Sequence, residues 1–292
     1  MPGNFDLKFG VSSCLWADHD LCEGIAAAAR FGIKYIELSS DSFAADAGDE
    51  EYLSGLEAAV HRNAVRLVQV HIGGDAFDLS TDEQIGSRTP LENLKACVRL
   101  LPRFDNPILV IHASDVIMLT DDRKRRLDTC KRNLAALVEF CAGHGAMVAV
   151  ENVFDMTGCG CPAFLLGDNE AEYREIVNSV DSQHLGVHLD SGHAYISGDL
   201  VEMLEAAGDR LCSLHLSDNH GKTQRKLPGA KYLHWDEHLL PGEGDTDWRG
   251  FMQALRAIDY RGVVTLEVNV PGTLDQRIHA VLKAMEMLRG LW

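Results

Sequence analysis

The sequence has no G-x-G-x-x-G turn after its first apolar segment, which runs instead into SSCLWADHD. That absence argues against an open dinucleotide-binding sheet. No apolar run approaches the roughly 20 residues needed to cross a bilayer, so no membrane partner is expected. The opening residues, MPGNFDLKFGVSSCLW, lack a basic stretch followed by an apolar core. No secretory signal is therefore expected, and the expected location is cytoplasmic. Positive charge is scarce: 27 Lys and Arg stand against 44 Asp and Glu, a formal net charge of −17. A protein that grips a phosphate backbone usually carries a basic face, so nucleic acid is disfavoured as a partner. The eight cysteines have no repeating spacing and read as reduced thiols. Cys159 and Cys161, in CGC, lack the second cysteine pair or nearby histidine of a zinc knuckle and read as a plain loop. No linker, low-complexity stretch or composition break divides the chain, so residues 1–292 are expected to form a single domain.

What is present is a repeated phrase. Short apolar, β-branched runs end in a polar residue, a loop follows, and then comes a stretch with helical periodicity. The runs are LKFGVSSC, KYIELSS, RLVQVH, PILVIH, AMVAVE, LGVHLD, LCSLH and GVVTLE. Helix-like segments lie at Leu21–Phe31, Glu50–Arg62, Leu91–Leu101, Arg123–His144, Glu170–Ser179, Leu200–Ala207, Trp248–Ile258 and Leu274–Leu288. Strands this apolar, alternating with amphipathic helices, predict a parallel sheet covered by helices. Eight such units in a chain of this length predict a (β/α)8 TIM barrel, a fold of typically ~250 residues.

The last residues of six runs carry the chemistry: His71, His112, Glu151, Asp190, His215 and Glu267. Each is a metal-ligand type at the C-terminal end of a predicted strand, the rim where this fold builds active sites. Any one of them alone is more often a hydrogen-bonded rim residue. Together they would repel or remain undersolvated unless a cation neutralised them, and no matching set of basic residues sits at these strand ends. LDSGHAY sets His193 three residues past Asp190, so that one loop presents both. HWDEHLLPGEGDTDW adds Asp236 and His238 on the long loop after His215. Other features are weaker. Trp16 is placed either as an apolar wall against a sugar ring or in the core. Asp218 and Asn219 are candidate substrate or supporting groups. GKTQRKLPGAK concentrates Lys222, Arg225, Lys226 and Lys231, a solvated loop or a grip for an anionic substrate end. His188 is expected to be a buried histidine below the site, and DDRKRR the charged start of a helix.

The motifs VAVEN, LDSGHA, LHLSDN, DEHLLPGEGDTDW and VTLEV resemble the xylose-isomerase-like TIM-barrel superfamily along essentially the whole chain. That group holds sugar isomerases and epimerases together with the endonuclease IV family of DNA-repair enzymes. The chain stops after its last helix, without the long C-terminal arm of the barrel xylose isomerases, and so resembles the smaller epimerase-type members. The resemblance implies that Glu151, Asp190, His215 and Glu267 bind one divalent metal (Mn, Zn, Co or Mg). It implies a sugar, sugar phosphate or cyclitol isomerase or epimerase acting on a small-molecule carbohydrate. Glu151 and Glu267 would be the catalytic acid–base pair, moving a proton beside a carbonyl through a metal-stabilised enediolate. His193 would hydrogen-bond a substrate oxygen, with Trp16, Asn219 and Lys222 as further substrate contacts.

A rival stays open. In the endonuclease IV pattern, His71, His112, Glu151, Asp190, His193, His215, Asp236, His238 and Glu267 would hold three Zn ions for phosphoester cleavage. Against it, the loop IGGDAFDL after His71 lacks the aromatic wedge that enters a DNA stack. The early loops SSCLWADHD and SSDSFAADAGDEE are acidic where a duplex would need Lys or Arg. Dehydratases or lyases on the same site, and a non-catalytic ligand-binding barrel, are the remaining readings. An acidic barrel of this kind is compatible with a monomer or an oligomer.

Overall fold

In a computed structural model, which describes residues 7–40, 49–105, 108–198 and 200–292, eight parallel strands close into a barrel. The strands are β1 (Lys8–Ser12), β2 (Tyr35–Ser39), β3 (Arg66–Ile72), β4 (Ile108–Ile111), β5 (Met147–Glu151), β6 (Leu185–Asp190), β7 (Leu211–Leu216) and β8 (Val263–Leu266). Each pairs with its sequence neighbours, and β8 returns to β1 in register from Lys8 opposite Val263 to Val11 opposite Leu266. Residues 41–48, most of the acidic loop SSDSFAADAGDEE, lie outside the described residues.

The helices are α1 (Leu21–Arg30), α2 (Glu50–Arg62), α3 (Pro90–Leu100), α4 (Arg123–Gly143), α5 (Glu170–Val177), α6 (Ser191–Ser197), α7 (Leu200–Ala207), α8 (Trp248–Ala257) and α9 (Leu274–Leu291). Their starts are written in the sequence. Thr89 with Glu92, and Thr273 with Gln276, form capping boxes on α3 and α9, the former with Pro90 in the first turn. Asp20, Asp122, Asn169 and Asp247 cap α1, α4, α5 and α8 by accepting backbone N–H groups. DDRKRR thus starts α4, as expected. The segment read as a loop after Asp190 is instead the short helix α6. Its seven residues, with Gly192 among them, are too few to show a helical period.

The main core lies between the strands and the helices. Val70 and Ile72, Leu109 and Ile111, and Val148 and Val150 face Leu94, Val98, Leu134 and Val138 there. Because side chains alternate along a strand, the opposite parity points into the barrel. In β3 that parity is Leu67, Gln69 and His71; in β6 it is Gly186, His188 and Asp190. The barrel interior is therefore polar for a fold whose interior is usually filled by bulky branched residues. Beneath the rim lie Glu37, Gln69, His188, Ser213 and Thr265, all buried. A second apolar cluster of Cys159, Cys161, Ala163, Ile196 and Trp235 packs apart from the main core. It answers the CGC motif: both thiols are free and buried in a packed loop.

Candidate metal centre

The strand ends bring their side chains to one place. Glu151, Asp190, His215 and Glu267 each offer a ligand atom, and these four atoms lie within 4.8 Å of one another. Register explains the convergence: Asp190 sits opposite His215, Thr265 opposite His215, and Glu151 opposite His188. Glu267 follows β8 directly, its N–H bonded to the carbonyl of Leu216. His71 and His112 join through Glu151, whose Oε2 lies 3.2 Å from His71 Nε2 and 3.6 Å from His112 Nε2. His71 Nδ1 stands 3.5 Å from Glu267 Oε1.

Local structure dedicates one end of several of these groups and leaves the other free. Asp190 caps α6 through Oδ1, which accepts the His193 N–H at 2.7 Å, while Oδ2 has no hydrogen-bond partner among the described residues. The backbone of Asp190 is tied to the Asn152 side chain, which locks β6 to β5. The His193 ring donates from Nδ1 to the Asn152 carbonyl at 2.9 Å, and the His238 ring donates from Nδ1 to the Glu267 carbonyl at 3.2 Å. Both rings thus turn Nε2 to Asp236 Oδ2, at 3.3 and 3.0 Å. His238 holds a left-handed backbone (φ 48°), a costly conformation for a non-glycine residue, to make this turn.

Asp236 and His238 therefore do reach the rim, and the residue between them explains the rest of the loop. Glu237 points away, accepting from the backbone and ring of His220 and from Arg225. PGEGDTDW proves to be architecture built around Asp218. Its buried carboxylate accepts from the backbone of Asn219, Gly242 and Thr246 and from the indole of Trp248.

Burial would neutralise these groups, and their mutual charges oppose it. At Glu151, burial favours the neutral acid, but His71 and His112 together hold the carboxyl well below its usual range. At Glu267, His215 and His71 do the same against burial. Burial lowers the tendency of His71 to protonate, yet Glu151 and Glu267 outweigh it and raise its pKa to about 9. His238 rises to about 10 against burial because of Asp236. At Asp190, burial wins and the pKa is raised. Both oxygens of Glu151, Asp190 Oδ2, His215 Nδ1, His71 Nε2 and His112 Nε2 are buried without hydrogen-bond partners among the described residues. Such orphans in a native fold call for an explanation. A mixed carboxylate–imidazole set with free lone pairs turned inward fits a divalent cation.

The remaining expectations fall outside this cluster. Trp16 is fully buried, with its ring against Gly24 of α1, and presents no surface to the mouth. Asn219 is buried and shapes its loop by accepting the Gly221 N–H. Lys222 is exposed, 6.0 Å from the ring of Trp235. His188 is buried below the rim, with Nδ1 2.7 Å from the Ser213 hydroxyl. Phe77, the aromatic residue of IGGDAFDL, packs on the core. Sequence reading missed three residues. Glu37 and Gln69 meet His215 from below, and partly exposed Phe154 lies 5.3 Å from the ring of His193. A lone Glu inside KYIELSS, and a Gln two residues before His71, were visible signals of inward polar positions.

Comparison with known proteins agrees with this fold. An uncharacterised protein of Methanocaldococcus jannaschii is 26% identical over 293 residues, covering 97% of this chain and 89% of that protein. The crystal structure of the IOLI protein with a zinc atom superposes with a TM-score of 0.78 at 17% identity, covering 97% of this chain and 98% of that one. D-psicose 3-epimerase of Clostridium cellulolyticum, solved with D-tagatose, gives 0.75 at 18% identity, covering 98% and 99%. At these identities the two structures speak for the fold. A family model described as xylose isomerase-like TIM barrel matches residues 25–291, and the chain belongs to that family.

Proposed function

We propose that this chain is a divalent-metal-dependent epimerase or isomerase of a sugar, sugar phosphate or cyclitol. The observation that carries the reading is the four-donor group Glu151, Asp190, His215 and Glu267, in which both oxygens of Glu151, Asp190 Oδ2 and His215 Nδ1 have no hydrogen-bond partner among the described residues. A divalent ion held there would polarise a substrate carbonyl and acidify the neighbouring C–H. The relative solved with D-tagatose supports a carbohydrate as substrate class.

The chain's own residues supply the rest. Glu151 and Glu267 come from β5 and the end of β8, and both are held ionised by adjacent imidazoles. One takes the proton from the carbon beside the carbonyl and the other returns a proton to the opposite face or the adjacent carbon. His193, fixed by Asn152, turns Nε2 to Asp236 Oδ2, and in this reading a substrate hydroxyl enters between the two. Asp236 and His238 stand at the open side, their side chains 26% and 23% exposed while Glu151 and His215 are closed off. In this reading they meet substrate hydroxyls. Phe154, beside His193, offers the apolar face that Trp16 does not. Lys222 stays a candidate grip for an anionic end of the substrate.

A second reading rests on the second compact group, His71, His112 and Glu151, which could take a further ion. Under it the nine-residue set binds three zinc ions and cleaves phosphoesters. Elemental analysis of protein purified without chelator or added metal separates the two. About one divalent ion per chain, with epimerisation of ketoses or keto-cyclitols and solvent deuterium entering the product, is the expected result. About three zinc ions with phosphodiester cleavage and no such exchange would overturn the proposal.

A further inference from the structure

The layer under the rim takes no part in the ligand set or in the proton transfers, yet it contains a carboxylate. Glu37 is fully buried in β2, where an unneeded charge is costly. Its register neighbour on β3 is Gln69, which donates from Nε2 to Glu37 Oε2 at 2.5 Å. The same Oε2 lies 2.5 Å from His215 Nε2. His215 belongs to β7, separated from β2 around the barrel by β1 and β8, so this contact crosses the barrel interior.

An ionised carboxylate only accepts hydrogen bonds, so the contact requires the proton on His215 Nε2. When a bound cation displaces any proton from the other ring nitrogen, that nitrogen presents a lone pair. Nδ1 has no hydrogen-bond partner among the described residues. It faces Glu267 Oε2 at 3.0 Å, and Glu151 Oε1 and Asp190 Oδ2 at 3.8 Å each. The ring is thus pinned at one nitrogen and presents the other to three carboxylates.

We infer that Glu37, anchored by Gln69, is a positioning residue that fixes the orientation and tautomer of His215 so that Nδ1 can bind a divalent cation with Glu151, Asp190 and Glu267. The inference rests on the ligand set proposed above. A carboxylate partner holds a ligating imidazole in one tautomer and raises its basicity, and losing such a partner typically weakens metal binding about 10–100-fold. A competing role exists. Glu37 Oε1 has no hydrogen-bond partner among the described residues, and Glu37, His71, His215 and Glu267 also offer ligand atoms within 4.8 Å. Glu37 as a direct ligand would make its contribution independent of His215.

The test is zinc affinity of the whole chain, measured by chelator competition for the wild type, Glu37→Gln, Glu37→Asp, His215→Ala and the double variant Glu37→Gln/His215→Ala. Glu37→Gln should weaken zinc binding about 10–100-fold, Glu37→Asp by less, and the double variant no more than His215→Ala alone. On the zinc-loaded wild type, nitrogen-15 NMR should show the His215 proton on Nε2, and Glu37→Gln should weaken its protection from solvent exchange. Unchanged affinity in Glu37→Gln overturns the inference, and so does an additive loss in the double variant, which would make Glu37 a ligand. Should Glu37→Gln fail to fold, Glu37→Asp with its own double variant gives the same comparison. Wild-type affinity in His215→Ala would instead bring down the proposed ligand set itself.

Discussion

Glu151 and Glu267 differ in one respect that the proposed proton transfers can expose. Glu151 is closed off from solvent, whereas the Glu267 side chain keeps 11% exposure and contacts His71 and His215. If each serves one face of the substrate, the two glutamine variants should fail differently. Glu151→Gln and Glu267→Gln should each lower turnover about 10²–10⁴-fold. Each should still exchange solvent deuterium into one epimer and not the other, with the preference reversed between them. Mass spectrometry of each epimer recovered from D2O reads this directly. Full turnover in either variant would remove that residue from the proton-transfer pair.

At the scale of elements, the loop from Asp218 to Trp248 holds Asp236 and His238 over the rim, and Asp218 is its clasp. Removing the carboxylate would strand the buried backbone N–H of Thr246 and the buried Trp248 indole, and would release the more exposed N–H of Gly242. A buried donor left unsatisfied costs about 1–3 kcal/mol. Asp218→Ala should therefore destabilise the protein by about 2–4 kcal/mol in urea melts. It should also speed amide exchange at residues 239–247. Asp218→Asn, which keeps acceptor capacity, should lose less.

The same loop shows what was legible in the sequence. The strand order and the gathering of donor side chains at the rim could be read because apolar runs terminate visibly, and the terminal residues of six runs converge at the mouth. Asp218 could not, because its role depends on donors at residues 242, 246 and 248 whose approach only the folded loop creates. Glu37 was hidden by reading the ends of the runs alone; the parity that places His71 inward places Gln69 inward as well, and register puts Glu37 beside it. Trp16 was ambiguous because only the packing of α1, where Gly24 makes room for the indole, decides its side.

At the scale of the whole molecule, the centre is a reservoir of protons when no cation is bound. His71 and His238 have folded pKa values raised to about 9 and about 10, against about 6.5 in an unfolded chain. A histidine with a raised folded pKa binds more protons in the native than in the unfolded state over that interval. Its stabilisation is fully present below about pH 6.5 and is lost as pH climbs through the folded value. Chelator-treated protein should therefore show a melting temperature that declines from about pH 6.5 toward pH 10. A bound divalent ion takes over the neutralising role, and ligands must give up their protons to it. Metal-loaded protein should accordingly lack the part of that decline due to His71, which Glu151 and Glu267 raise, and keep the part due to the Asp236–His238 pair. Titration of zinc into metal-free protein at pH 7.5 should release protons, seen as a binding enthalpy that varies with the ionisation enthalpy of the buffer. A metal-free melting temperature that rises across this interval would mean that the imidazoles are neutral in the folded chain, and that the carboxylates of the rim are balanced in some other way.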